Sequence, residues 1–286
     1  MLRRFSLMKR LRGDMVNYQT LNLAESTKVR VPSILPLRLQ DVSYEIGGMR
    51  LIKNLSVEFS SPSLTIVLGP NGAGKSLLLR LCHGLIKPTS GTVEWCGIEN
   101  ASARRYQAMV FQRPIMLRRN VFANLDHALK HRGIKKSERI DKIEEILGHT
   151  GLTRLTKVPA RLLSVGEQQR LALARAWSLD PEVLFLDEPT AALDPAATHS
   201  LEEIINLINR SGTKVIMSTH DLGQAKRLAD EVLFIYRGRL LENANANQFF
   251  DQPKNDLAQS FMRGELLWWN RKELKPPNKF KNHKGP

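Results

Sequence analysis

The sequence predicts an α/β domain built on a parallel sheet with helices on both faces. Three observations carry that prediction. Thr65-Ile-Val-Leu68, Val183-Leu-Phe-Leu186 and Val215-Ile-Met217 are short continuous apolar runs, the pattern of strands buried on both faces. Stretches with helical spacing separate or follow them, among them Leu201, Ile204, Ile205 and Ile208. The first run also opens into a glycine-rich segment, residues 69–76, that precedes a short helical pattern.

Along the chain, residues 1–36 read as a basic extension, 37–250 as the folded body and 251–286 as a C-terminal segment with a basic tail. Leu55-Ser-Val57-Glu-Phe59 alternates as a half-buried strand does. After the Thr65–Leu68 run, Leu77 to His83 reads as a short helix stopped by Gly84. From about 100 to 160 the pattern turns helical. Ser137 is placed to cap a helix with Ile140, Ile143, Ile146 and Leu147 on one face, and Gly148 to end it. No repeat at solenoid or propeller periods is visible, so one α/β domain fills most of the chain.

The 286 residues are 42% hydrophobic and 25% charged, which excludes wholesale disorder. No stretch approaches the ~18 uninterrupted apolar residues of a membrane helix. The unusual quantity is a net charge of +15, from 43 Lys+Arg against 28 Asp+Glu, which by itself points to a polyanionic partner. Its location weakens that reading. Residues 1–40 carry +6 and residues 271–286 carry +5, leaving +4 for residues 41–270. The N-terminal flank has no apolar core before a small-residue cleavage site, so a secretory signal is not expected. Its Arg-rich start resembles an organelle transit peptide, or is a solvated extension with Met8 or Met15 as the true beginning. The C-terminal KPPNKFKNHKGP reads as a disordered tail. Two cysteines, Cys82 and Cys96, make no disulfide framework and are expected to be small buried residues in a reducing cytoplasm. The seven histidines show no HExxH or CxxC…H spacing, so no zinc site is expected.

Gly69-Pro70-Asn71-Gly72-Ala73-Gly74-Lys75-Ser76 matches GxxxxGK[ST], the phosphate-binding loop. Its glycines let backbone N–H groups converge on phosphate oxygens at the positive end of the following helix. Lys75 is placed to reach the β/γ-phosphates, and the Ser76 hydroxyl to coordinate Mg²⁺. Leu184-Phe-Leu-Asp187-Glu188 supplies the second half of a site. Its apolar residues bury a strand that delivers Asp187 to the carboxyl end, where α/β folds bind ligands. Asp187 then serves the Mg²⁺ shell, and Glu188 is placed as general base for an attacking water. Alone, such a strand also fits one that simply reaches solvent; the phosphate loop decides for the site.

At this point the sequence resembles the ATP-binding cassette ATPase family, over roughly residues 37–250. Leu163-Ser164-Val165-Gly166-Glu167-Gln168-Gln169-Arg170 is similar to the family signature LSGGQxxR. Asp187-Glu188-Pro-Thr and Ala191-Ala-Leu-Asp194 resemble its Walker B and D-loop, and His220 in STHD its switch histidine. Gln112 in VFQ resembles the Q-loop glutamine, and Tyr44 the aromatic that stacks on adenine. The resemblance implies a P-loop NTPase core with an N-terminal antiparallel β subdomain and a helical subdomain at about 100–165. It also implies MgATP hydrolysis in a head-to-tail dimer, where Ser164, Gly166 and Glu167 of one copy face the phosphate loop of the other. Gln112 is then expected to sense γ-phosphate and Mg²⁺, and His220 to contact γ-phosphate and the attacking water.

One residue departs from the family pattern: Val165 replaces the first signature glycine. A β-branched residue is costly where φ is positive, so Val165 is expected in a negative-φ conformation, with Ser164 and the Gly166 backbone making the signature contacts.

With one cassette and no membrane span, the resemblance implies a separate permease, an indirect extracytoplasmic substrate-binding protein, and a peripheral place on the cytoplasmic face of the inner membrane. Val110–Arg119, the signature and Walker B runs, and Gly264-Glu-Leu-Leu-Trp268 are similar to tungstate/molybdate-type oxyanion importers, whose phosphate and amino-acid relatives share most of these features. A nucleic-acid-associated ATPase is the rival that the charge favours. The single uninterrupted cassette counts against it, and no nucleic-acid partner is expected. Leu266-Leu-Trp268-Trp269 is either an interfacial membrane anchor or an amphipathic segment packed on the domain.

Overall fold

The computed structural model describes residues 34–265. The basic extension with its alternative starts, the Leu266–Trp269 segment and the basic tail lie outside the described residues. The chain opens with β1 (Leu37–Ile46), β2 (Met49–Phe59) and β3 (Leu64–Leu68), then α1 (Lys75–His83), β4 (Ser90–Trp95), α2 (Asn100–Ala103) and β5 (Gln107–Val110). Three longer helices follow: α3 (Val121–His131), α4 (Lys136–His149) and α5 (Val165–Trp177). The remainder alternates as β6 (Val183–Asp187), α6 (Pro195–Arg210), β7 (Lys214–Thr219), α7 (Leu222–Leu228), β8 (Glu231–Tyr236) and β9 (Arg239–Asn245), ending in α8 (Ala246–Asp251) and α9 (Asp256–Met262).

Two sheets result. β2-β1-β4 is antiparallel, and the larger sheet runs β5-β6-β7-β3-β8-β9. Its first five strands are parallel, and β9 closes the edge antiparallel to β8. The apolar runs are its middle: every residue of β3, β6 and β7 is buried. Successive side chains in these strands feed opposite cores. Ile66, Leu184, Leu186 and Met217 face α3 to α7. Val67, Val183, Phe185 and Ile216 face α1 and the antiparallel sheet. Phe185 meets the rings of His83 and Trp95 edge-on, with centroids 5.7 and 6.5 Å away, a favoured aromatic geometry. In β2, Leu55, Val57 and Phe59 are buried and Ser56 and Glu58 exposed, the alternation expected of a strand with one wet face.

Four local expectations are corrected. Residues 107–110, inside the stretch read as helical, form strand β5, because pairing with β6 outweighs local pattern (Gln107 opposite Val183, Val110 opposite Leu186). Ser137 is not a cap: α4 begins at Lys136, with Lys135 in the capping position, and runs through Gly148 to His149. Tertiary contacts fix that start, since Arg139 Nε donates to Asp126 Oδ1 on α3 (2.6 Å) and its Nη1 to the Ile134 carbonyl (2.8 Å). Helix α1 starts at Lys75 rather than Leu77, taking its first turn from the phosphate loop, and stops at Gly84. Cys82 is buried but Cys96 is exposed, because it falls in the turn just past β4.

Candidate functional site

The carboxyl ends of β3, β6 and β7 lie side by side, with Leu68 opposite Thr219 and Asp187 opposite Ser218. The glycine-rich loop leaves β3 at this edge and turns into α1 through Gly74, whose φ of 105° favours glycine. Gly69 is required by close packing: a Cβ there would sit 2.1 Å from the Ile235 carbonyl oxygen. The β8–β9 turn braces the loop, Gly238 N donating to the Ala73 carbonyl at 2.8 Å. Pro70, Asn71, Gly72 and Ala73 line a cleft of about 630 Å³ that also holds His220, Tyr236 and Phe261.

Lys75 is the first residue of α1, only 4% exposed. Its Nζ donates to the carbonyls of Gly69 (2.9 Å) and Pro70 (3.1 Å) and pairs with Glu188 Oε1 at 3.0 Å. Ser76 Oγ donates to Asp187 Oδ1 at 2.7 Å. Asp187 ends β6, and Glu188 follows it with φ 42°, a left-handed backbone uncommon for a non-glycine residue. Glu188 Oε2 lies 3.1 Å from His220 Nδ1. Lys75, Ser76, Asp187, Glu188 and His220 therefore form one contact group, drawn from three separate segments.

The arrangement has clear chemical capacity. A buried ammonium and a backbone loop at a helix N-terminus receive an anion. Ser76 Oγ and Asp187 Oδ1 are hard oxygens of the type Mg²⁺ takes, with its remaining ligands supplied by water and phosphate. Among the described residues no cluster of three His, Cys, Asp or Glu offers an all-protein metal cage.

Ser218, two residues before His220, is a further residue of the site that the sequence motifs do not single out. Its hydroxyl donates to Asp187 Oδ1 (2.8 Å) and accepts from Glu188 N (3.0 Å), and its carbonyl accepts from the same N–H (3.2 Å). The available signal was a small polar residue directly after the Val215–Met217 run.

Other expected residues sit elsewhere. Ser164 caps α5, and Glu167 folds back on it, accepting from Ser164 N at 2.8 Å and Ser164 Oγ at 2.9 Å. Val165 takes the first helical position, outside the left-handed residues and more than half exposed. Ser164, Gly166 and Glu167 line a separate cleft of about 250 Å³ with Asp194 and Ala197 that contains no phosphate-loop residue. Gln112 is exposed beyond β5; its carbonyl accepts from Gln169 Nε2 at 2.8 Å, and no hydrogen bond among the described residues joins its side chain to Ser76 or Asp187. Tyr44 lies on β1 opposite Ile52, the residue whose side chain packs beside Gly74.

This fold and contact group define a P-loop nucleotide-hydrolysing protein. The family described as ABC transporter matches residues 52–191. The tungstate uptake ATP-binding protein TupC of Peptoclostridium acidaminophilum is 37% identical over 217 residues, covering 76% of this chain and 100% of that protein. The phosphate import ATP-binding protein PstB of Mycoplasmoides gallisepticum is 36% identical, covering 78% and 74%. The methionine import ATP-binding protein MetN of Haemophilus influenzae is 37% identical, covering 77% of this chain and 67% of that protein. Among solved structures, cbiO1 from Clostridium perfringens, part of the cbiONQ ABC transporter complex, matches with a TM-score of 0.70 at 26% identity, over 76% of this chain and 90% of that one. The chain belongs to the ABC transporter family as an ATP-binding subunit, and it is an ATPase.

Proposed function

We propose that this subunit is the motor of a multi-subunit importer, hydrolysing MgATP to drive a separate permease for an oxyanion such as tungstate, molybdate or phosphate. The observation that carries the motor reading is the contact chain Lys75–Glu188–His220 beside the Ser76–Asp187 pair. Phosphate oxygens of ATP would take the Lys75 ammonium from the Gly69 and Pro70 carbonyls and from Glu188, freeing the Glu188 carboxylate for water. Ser76 and Asp187 would hold Mg²⁺, with Gln112 reaching the same shell. The metal supplies charge neutralisation on the β- and γ-phosphate oxygens. His220 would orient the water against the γ-phosphate, and Tyr44 would stack on adenine.

The signature cleft lacks phosphate-loop residues, so we assign Ser164, Gly166 and Glu167 to the nucleotide of a second copy. ATP would then draw two copies together head to tail, and its hydrolysis would release them. In this reading residues 37–250 are the ATPase body and about 100–165 its permease-facing part. A cleft of about 310 Å³ beside β5, lined by Phe111, Pro114, Ile115, Ala128 and Ala172, offers exposed apolar side chains for a permease helix. Among the described residues no helix is long and apolar enough to cross a membrane. A motor acting through a separate permease would sit peripherally at the cytoplasmic face.

The oxyanion assignment rests on TupC being matched over its whole length, whereas a third of MetN lies outside the match. Methionine or another amino acid is the second reading, favoured by equal identity to MetN. The test is ATPase stimulation of the subunit reconstituted with its permease and binding protein. Tungstate, molybdate or phosphate is expected to stimulate turnover where methionine does not. Stimulation by methionine alone replaces the oxyanion, and turnover indifferent to any permease removes the motor reading.

A further inference from the structure

Behind the Glu188–His220 contact lies a polar network of which only Thr190, the threonine of Asp187-Glu188-Pro-Thr, belongs to a sequence motif. Gln224, 1% exposed, donates through Nε2 to Thr190 Oγ1 (2.9 Å) and to Glu202 Oε1 (3.0 Å). Glu202, 3% exposed on α6, is gripped twice by Arg227: Nε to Oε2 at 2.9 Å and Nη2 to Oε1 at 2.7 Å. A carboxylate only accepts hydrogen bonds, so Glu202 dictates which end of the Gln224 amide faces it. Both amide hydrogens are then committed, one to Glu202 and one to Thr190.

The two ends of the network sit at the two catalytic candidates. Thr190 is two residues past Glu188, in a turn tied by Ala191 N to the Glu188 carbonyl (3.3 Å) and Leu193 N to the Thr190 carbonyl (3.0 Å). Gln224 is in the first turn of α7, whose cap Asp221 directly follows His220 and accepts from Gln224 N at 2.7 Å. One side chain thus ties the turn that carries Glu188 to the helix that follows His220. The left-handed Glu188 backbone needs such outside support, because nothing in its own conformation favours it. Stability is a weak reason to keep this pair, since Glu202 is buried but Arg227 is more than half exposed, and ion pairs open to solvent contribute little. Glu188, His220, Thr190, Glu202 and Arg227 all line the same cleft of about 560 Å³.

We infer that Thr190, Gln224, Glu202 and Arg227 are positioning residues that hold His220 against Glu188, an inference that rests on the site reading above. The test uses the full chain and steady-state MgATP turnover. Thr190→Val keeps shape and removes the hydroxyl. It is expected to lower kcat at least ~10-fold with KM for ATP nearly unchanged, as misplacement of a reacting group does, beside a lower thermal midpoint from the buried Gln224 amide hydrogen left without its Thr190 acceptor. Thr190→Ser is expected to restore most of the rate. In a His220→Ala background the same Thr190→Val change should cost almost nothing more, since both act through one contact. Wild-type kcat in Thr190→Val, failure of Thr190→Ser to rescue, or an undiminished loss in the His220→Ala background overturns the inference. Full ATPase activity in His220→Ala alone overturns instead the site reading beneath it.

Discussion

Glu188 divides its two carboxylate oxygens between Lys75 and His220: Oε1 lies 3.0 Å from Lys75 Nζ and Oε2 lies 3.1 Å from His220 Nδ1. The first partner belongs to the phosphate loop and the second to the segment after β7. Glu188 therefore links the phosphate loop directly to His220. Asp187, one residue earlier, is turned instead toward Ser76 and Ser218. Neighbouring acids on one strand end thereby receive different surroundings, the basis of the different roles proposed for them.

Glu188→Gln tests the role assigned to the carboxylate. An amide keeps the shape but cannot take a proton from water, so turnover is expected to fall by about 10²–10⁴-fold. Nucleotide binding should persist, because the loop and Lys75 are untouched, and ATP-bound dimers should accumulate. Single-turnover hydrolysis and size-exclusion chromatography with MgATP read both effects. Normal hydrolysis in this variant would remove Glu188 as the base.

Legibility of the fold followed burial. β3, β6 and β7 are apolar on both faces, so their sequence alone marks them as central strands. The phosphate loop is equally visible because its geometry is local, set by glycines and one helix start. β5 was hidden because four residues carry too little periodicity, and its pairing partner stands over seventy residues away. The start of α4 was hidden because the Arg139 contacts with Asp126 and Ile134 place it. The partners of Ser218 and the Thr190–Gln224–Glu202 ties were illegible for the same reason. Single polar residues acquire meaning only when strand register and helix packing bring their partners to them.

Val165→Gly asks whether the departure from the family signature impairs the site. Val165 is the first residue of α5 and has no left-handed backbone to relieve. Glycine there should cost less than ~1 kcal/mol of helix stability and leave ATPase activity within a few-fold. A large gain in turnover would show that the valine holds the site below its capacity.

Lys214 gives a pH dependence of stability far from the nucleotide site. Its side chain is fully buried, Nζ donating to Thr65 Oγ1 (2.6 Å) and Ser63 Oγ (2.8 Å), with Glu231 at 3.6 Å. Burial pushes its pKa down from 10.5 to about 8, against the pull of Glu231. The unfolded chain then binds this proton more tightly than the folded one between pH 8 and 10.5, so stability rises with pH across that window and is lowest below it. Relative to Lys214→Met, the wild type should gain on the order of 2 kcal/mol between pH 7 and 9.5. Urea unfolding at the two pH values measures it, and parallel behaviour of both proteins would refute the buried-charge origin.

Ser218→Ala separates support of the site from its chemistry. The hydroxyl is wholly buried and serves two masters, donating to Asp187 Oδ1 and accepting from Glu188 N. Its loss strands a buried carboxylate oxygen with Ser76 as its remaining hydroxyl donor, and weakens the tie on the left-handed Glu188 backbone, which keeps the Ser218 carbonyl as its acceptor. Leaving a buried partner unsatisfied costs about 1–3 kcal/mol, which in a domain of this size lowers Tm by several degrees. If Asp187 holds Mg²⁺, a carboxylate freed from Ser218 should turn more readily and bind the ion less sharply. The concentration of Mg²⁺ for half-maximal turnover is therefore expected to rise several-fold, while saturating Mg²⁺ restores most of the rate. Ser218→Thr, which retains the hydroxyl, should lie close to wild type in Mg²⁺ demand even where its extra methyl lowers Tm. An unchanged Mg²⁺ requirement in Ser218→Ala, alongside the expected fall in Tm, would confine Ser218 to structural support and loosen the assignment of Asp187 to the metal.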